Sequence, residues 1–144
     1  MQMIKIAKLD TNAFLPTRKH PSDAGLDIYS NVKMTINPSS FAIVSTGITL
    51  EIDHGFVGLL KPKGRNNHLL GAGVVDAGYQ GEILVKVANV TDQPLEVNPG
   101  DAIGQLLILP IFLPAVEEVS IDQIHIDNSS RGNTGGIVDQ HLTK

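Results

Sequence analysis

The chain has 144 residues and no cysteine, which suits one domain with a single core and excludes a disulfide framework, a thiol nucleophile and a cysteine zinc site. Eleven Lys and Arg stand against 15 Asp and Glu, a formal charge of -4, and no basic run offers a grip on a nucleic-acid backbone. No stretch approaches the roughly 18 apolar residues of a membrane-spanning helix, and "MQMIKIAKLD" lacks an apolar leader core, so a cytoplasmic protein with no nucleic-acid or membrane partner is expected.

Apolar residues fall in short β-branched runs cut by Gly, Pro, Asn and Asp, the pattern of an all-β fold. In chain order the predicted strands cover residues 4–9, 26–30, 32–36, 41–52, 57–61, 82–90, 102–109 and 115–120, enough for two packed sheets or a barrel-like roll. Breakers at Asn37-Pro38, Asp53-His54-Gly55, Asp92-Gln93-Pro94 and Asn98-Pro99-Gly100 predict turns within one domain. That domain is expected over 1–126. The polar, glycine-rich tail 127–144 reads as a flexible arm, either a frayed terminus or a strap that closes over an anion with Arg131.

Polar clusters interrupt the strands. In "DAGLDIYS" Asp27 either caps a turn or faces a ligand, and Asp101 of "GDAIGQLL" suits a turn after Pro99-Gly100. Gln105 lies inside an apolar strand, so its amide needs hydrogen-bond partners, from the core or from a ligand. "KPKGRNN" combines Lys61, Lys63 and Arg65 with the amides of Asn66 and Asn67, donors that phosphate oxygens accept, or else an ordinary solvated loop. Asp76, between Val75 and Ala77-Gly78, is a general base if held ionised, or a turn aspartate. Histidines 20, 54, 68, 125 and 141 show no spacing suited to zinc.

The order of these clusters resembles the trimeric dUTPase family. "AGLDIYS" is similar to its first motif, "KGRNN" to an altered second, "GVVDAGYQGEI" to the third, "GDAIGQLLIL" to the fourth and "RGNTGG" to the start of the fifth. The resemblance implies an all-β roll (β-clip), a homotrimer with active sites shared between subunits, and hydrolysis of dUTP to dUMP and pyrophosphate with Mg2+. It makes Asp76 the base for the attacking water and Tyr79 the platform under the deoxyribose that excludes a 2′-hydroxyl. Gly73 and Val74 belong to a hairpin that reads uracil. Arg65, Asn66, Asn67, Gln105 and Arg131 become phosphate ligands, and Asp27 a supporting carboxylate. No direct protein ligand for Mg2+ is implied, because a triphosphate chelates the ion with water in its shell.

Two departures separate the chain from that pattern. Arg65 is followed by Asn66-Asn67 where the family has Arg-Ser-Ser, and the chain reaches Asp76 early, so the short helix after the second motif is expected to be missing. The fifth motif lacks its aromatic: the tail reads Gly136-Ile137-Val138-Asp139, with no aromatic after Phe112. Losing a base stack costs about 1–3 kcal/mol at single-stranded nucleic-acid sites. An alternative is therefore a weak or inactive nucleotide-binding regulator. The related dCTP deaminases are disfavoured, since Lys86 stands where they carry a glutamate.

Overall fold

The computed structural model describes residues 3–71 and 73–125. Its strands are β1 (Lys5–Lys8), β2 (Leu26–Tyr29), β3 (Met34–Ile36), β4 (Ser40–Ser45), β5 (Ile48–Glu51), β6 (Phe56–Lys61), β7 (His68–Leu70), β8 (Val74–Asp76), β9 (Leu84–Asn89), β10 (Leu95–Val97) and β11 (Ala102–Pro110). The fold is all-β, and the one helical turn among the described residues is a 3-10 turn at Ile121–Gln123. No helix of the described residues is long and apolar enough to cross a membrane.

Every strand pairing is antiparallel. A four-stranded sheet runs β2-β11-β6-β8, a three-stranded sheet runs β4-β9-β7, and β1-β5 and β10-β3 form two-stranded ribbons. β9 shows why alternation predicts it: Val85, Val87 and Asn89 are buried, while Leu84 and Lys86 face out. β11 runs through the middle of its sheet, with Ile103 and Leu106 in a core shared with Ile28, Val44, Ile48 and Val85. Asp101 accepts from the Asn98 N–H at 2.8 Å and closes the turn into β11, the turn role its sequence suggests.

Three expectations change. The strand expected over 41–52 breaks into β4 and β5, because Gly47 takes a positive φ of 67° that stops the ladder. The strand expected over 115–120 does not form, since that segment has no ladder partner among the described residues. The glycine-rich stretch expected as a hairpin is a corner between sheets: β8 pairs with β6, whereas β9 pairs with β4 and β7. Among the described residues between Arg65 and Asp76 no helix forms, as expected. A turn in which Asn66 N–H bonds Lys63 O at 3.0 Å leads directly into β7.

The chain divides into compact units Met1–Leu113 and Pro114–Lys144. In the second, Gln123 N–H bonds Ser120 O at 2.9 Å and Ser120 N–H bonds Gln123 Oε1 at 3.2 Å, closing the 3-10 turn. The expected arm at 127–144, with Arg131, lies outside the described residues.

Candidate functional site

The corner from Gly73 to Ile83 is set by hydrogen bonds that the backbone dictates. Gly73 lies against β6, with its carbonyl accepting from Leu60 N–H at 2.7 Å; a Cβ there would stand 2.5 Å from Leu60 O, so only glycine fits. After β8, Tyr79 N–H closes a turn on Asp76 O at 3.1 Å, and the Tyr79 hydroxyl donates to Glu82 O at 2.8 Å. That bond lays the ring over Gly81, where an added Cβ would meet Tyr79 Oη at 2.5 Å. Glu82 in turn anchors the corner to the β4–β5 break: its Oε1 accepts from Gly47 N–H at 2.7 Å and from the Ser45 hydroxyl.

Because β8 and β9 do not pair with each other, their arms splay and leave a cleft of about 180 Å³ lined by Leu60, Gly73, Val74, Val75, Tyr79, Glu82, Ile83 and Leu84. Its lining is mainly apolar, with Tyr79 and Glu82 as its polar members. Asp76 is exposed at the end of β8, and its carboxylate makes no hydrogen bond among the described residues. A second face of Tyr79 borders an open groove of about 600 Å³ beside Lys5, Glu51, Asp53 and His54.

A different pocket, of about 690 Å³, opens beside the four-stranded sheet and is lined by Thr17, Lys19, Asp23, Asp27, Tyr29, Lys63, Arg65 and Gln105, among others. The sheet register builds it, since Gln105 of β11 stands opposite both Asp27 of β2 and Lys61 of β6. Opposed residues point to one face, so the carboxylate and the amide share a wall. Gln105 Nε2 donates to Pro62 O at 3.0 Å, which gives the strand amide its partner and leaves Oε1 and one N–H uncommitted to it. Lys63 Nζ pairs with Asp27 Oδ1, and their side chains are only 20% and 18% exposed.

The expected phosphate cluster therefore divides. Arg65 is exposed on the pocket wall, and Asn67, two residues further on, is exposed as well. Asn66 turns inward: its Nδ2 donates to Ala102 O at 3.0 Å, next to buried His68, whose Nε2–H donates to Ile103 O at 2.7 Å. With that tautomer, the 3.4 Å approach of Asn66 Nδ2 to His68 Nε2 sets two donors side by side and is not a bond. One Asn66 donor thus ties the loop to β11.

Asp27, Arg65 and Gln105 are brought together in the cationic pocket; Gly73, Val74 and Tyr79 meet in the corner cleft; the two cavities share no lining residue. The sequence places Lys63 among the candidate phosphate donors, but the family resemblance assigns it no role, and nothing singles out Glu82. The signal for Lys63 was its place directly after Pro62, whose carbonyl Gln105 holds; Glu82 gave none, because its partners lie 35 and 37 residues away. Lys86 sits on the outer face of the three-stranded sheet with Nζ 5.3 Å from the Phe41 ring centroid.

Fold and site define an all-β protein that carries an apolar, carboxylate-tipped corner and a separate cationic pocket. The dUTPase family model matches residues 11–135. The deoxyuridine 5'-triphosphate nucleotidohydrolase of Mycolicibacterium gilvum is 38% identical over 140 residues, covering 92% of this chain and 91% of the relative; that of Mycobacterium tuberculosis is 36% identical with the same coverage. The dUTPase of Staphylococcus bacteriophage 80alpha, solved with dUPNHPP, superposes with a TM-score of 0.82 at 25% identity, covering 94% of this chain and 96% of that one. The dUTPase of phage phi11 of S. aureus gives 0.75 at 26% identity, with 82% and 96% covered, and a mutant of it is described with a structural Mg(II) ion. The chain belongs to the dUTPase family.

Proposed function

We propose that this chain hydrolyses dUTP to dUMP and pyrophosphate in the cytoplasm, at sites assembled between copies of a homotrimer. The observation that carries the reading is the construction of the corner. A cleft of about 180 Å³ has a ring laid along one wall and a free carboxylate at the adjacent strand end, in a chain of the dUTPase family. Backbone groups of Gly73 and Val74 bond the uracil edge. Tyr79, fixed by Glu82 O, packs against the deoxyribose and leaves no room for a 2′-hydroxyl. Asp76 takes the proton from a water that attacks the α-phosphorus, with pyrophosphate as leaving group.

The cationic pocket receives the triphosphate. Arg65 offers its guanidinium fork and Gln105 its remaining N–H, while Asn67, and Arg131 of the tail, add donors. Among the described residues no three His, Asp or Glu side chains converge as a metal site. That donor set fits an Mg2+ carried in on the triphosphate better than one caged by protein, with Asp27 as the carboxylate available to its water shell. When bound, Mg2+ would neutralise charge on the phosphate oxygens.

The trimer reading is supported by the two cavities having no lining residue in common, an arrangement in which one copy's corner can be completed by another copy's cations. It is also supported by exposed apolar surface: Phe41, Ile43, Leu69 and Leu84 on the outer face of the three-stranded sheet, and Phe112, Leu113 and Val116 at 98%, 80% and 100% exposure. A regulator that binds dUTP without turnover is the second reading, favoured by the missing aromatic in the tail after Phe112. A product assay with Mg2+ and dUTP, dCTP, dTTP or UTP in parallel separates the two. Release of dUMP and pyrophosphate from dUTP alone supports the hydrolase; binding of dUTP with no product supports the regulator.

A further inference from the structure

We propose that Lys63 and Asp27 form a charge-exchange pair: Asp27 holds Lys63 while the pocket is empty of nucleotide, and an entering polyphosphate takes Lys63 from it. This rests on the reading of the cationic pocket as the triphosphate site. It adds a cation to which the family resemblance assigns no role, and a rule for which anions the pocket retains.

Both partners are fixed from behind. Asp27 is bonded on its main chain to Thr17, N–H to carbonyl in both directions at 2.7 and 3.3 Å, and stands in register with Gln105. Lys63 follows the proline whose carbonyl Gln105 holds at 3.0 Å, and its own carbonyl accepts from Asn66 N–H at 3.0 Å. Its ammonium is thus delivered to the pocket wall by the backbone, unlike the exposed Arg65 beside it. With four-fifths of its side chain covered, Lys63 is costly to leave unpaired, and Asp27 is the anion that holds it in place.

The same carboxylate stands where phosphate oxygens arrive and repels them. A single phosphate brings little more charge than the carboxylate it must displace, whereas a polyphosphate brings several oxygens, and Lys63 has three N–H donors to give. The pair therefore favours polyphosphates over monophosphates, which bears on holding dUTP and releasing dUMP.

Calorimetry of the full-length protein with metal-free inorganic tripolyphosphate, and separately with inorganic phosphate, tests this without turnover. Lys63→Met is expected to weaken tripolyphosphate binding about tenfold or more, the usual scale for one charge-assisted hydrogen bond, and Lys63→Arg to restore most of it. Asp27→Asn is expected to tighten tripolyphosphate and to narrow its advantage over phosphate. That sign carries the test even if Lys63→Met does not fold, because a purely structural pair gives weaker binding or none when Asp27 is neutralised. Unchanged binding in Lys63→Met, weaker binding in Asp27→Asn, or no tripolyphosphate binding by the unaltered protein overturns the proposal. Failure of the unaltered protein to hydrolyse dUTP while these shifts hold would instead overturn the function above.

Discussion

Between Gly73 and Ile83 the Tyr79 and Glu82 side chains are fixed by backbone and neighbouring strands while the Asp76 carboxylate makes no hydrogen bond among the described residues, whereas between Lys61 and Arg65 the one paired charged head, that of Lys63, is held by the Asp27 carboxylate. In the corner, Thr49 Oγ1 donates to Gly81 O at 2.9 Å, Ile83 N–H to Ile48 O at 2.9 Å and Thr46 Oγ1 to Ile83 O at 2.5 Å, beside the Glu82 and Tyr79 bonds. The cationic pocket has fixed backbone but movable heads: a Lys-Asp pair and an exposed Arg65. The difference suits the two tasks proposed for them. Reading a rigid base and sugar needs a preformed surface, and taking hold of a flexible, charged tail needs side chains that can change partner.

Substitutions can break that comparison from either side. The largest effect is expected at Asp76: Asp76→Asn should lower kcat for dUTP by about 10²- to 10⁴-fold, the usual range for a lost general base. Its exposed side chain has no hydrogen bond among the described residues, so the thermal midpoint should hardly move. Pyrophosphate release and a melting curve on one sample check both.

Gly73→Ala should come next, because its Cβ would press on Leu60 O at 2.5 Å. Forcing the strands apart should cost about 1–3 kcal/mol of stability and deform the cleft, read as a lower midpoint in urea and a raised KM. Glu82→Ala removes the acceptor shared by Gly47 N–H and Ser45, with a stability loss of about 1–3 kcal/mol. If the corner is preformed as described, it should also narrow the kcat/KM preference for dUTP over UTP, while Glu82→Gln, which keeps an acceptor oxygen, retains it.

The smallest effect lies far from either pocket. The Asn12 N–H, and after it the Asn31 amide, hold the Asp10 carboxyl below its ordinary pKa. A lowered folded pKa means stability that is present above the unfolded value and lost as pH falls through the folded one. Asp10→Asn should therefore flatten the acid limb of a stability profile slightly and leave dUTP kinetics unchanged.

Much of this was legible in the chain because long strands announce themselves. β9 and β11 carry clear apolar patterns, and the ordered clusters around Asp27, Asp76 and Gln105 pointed to the family. The three-residue strands β7, β8 and β10 are too short to show a period, so the strand list omitted them. The break at Gly47 was hidden inside an apolar run, and the corner looked like a hairpin because nothing local says that its arms join different sheets. Asn66 read as a phosphate donor until β11 supplied the Ala102 carbonyl that engages it. The corner and the Asn66 contact share one cause: each depends on a partner distant in sequence, which residue type and spacing do not encode.

Complementation between two impaired variants, assayed at dUTP below KM, tests most directly whether corner and cationic pocket from different copies make one hydrolytic site. Asp76→Asn and Lys63→Met proteins would be unfolded together, refolded as a mixture, and assayed for dUMP beside each protein refolded alone. Sites shared between copies predict that the mixture recovers a substantial fraction of unaltered activity, because mixed assemblies contain sites with both residues intact. A mixture no more active than the two separate proteins, with mixed assemblies demonstrated by native mass spectrometry, would contradict it.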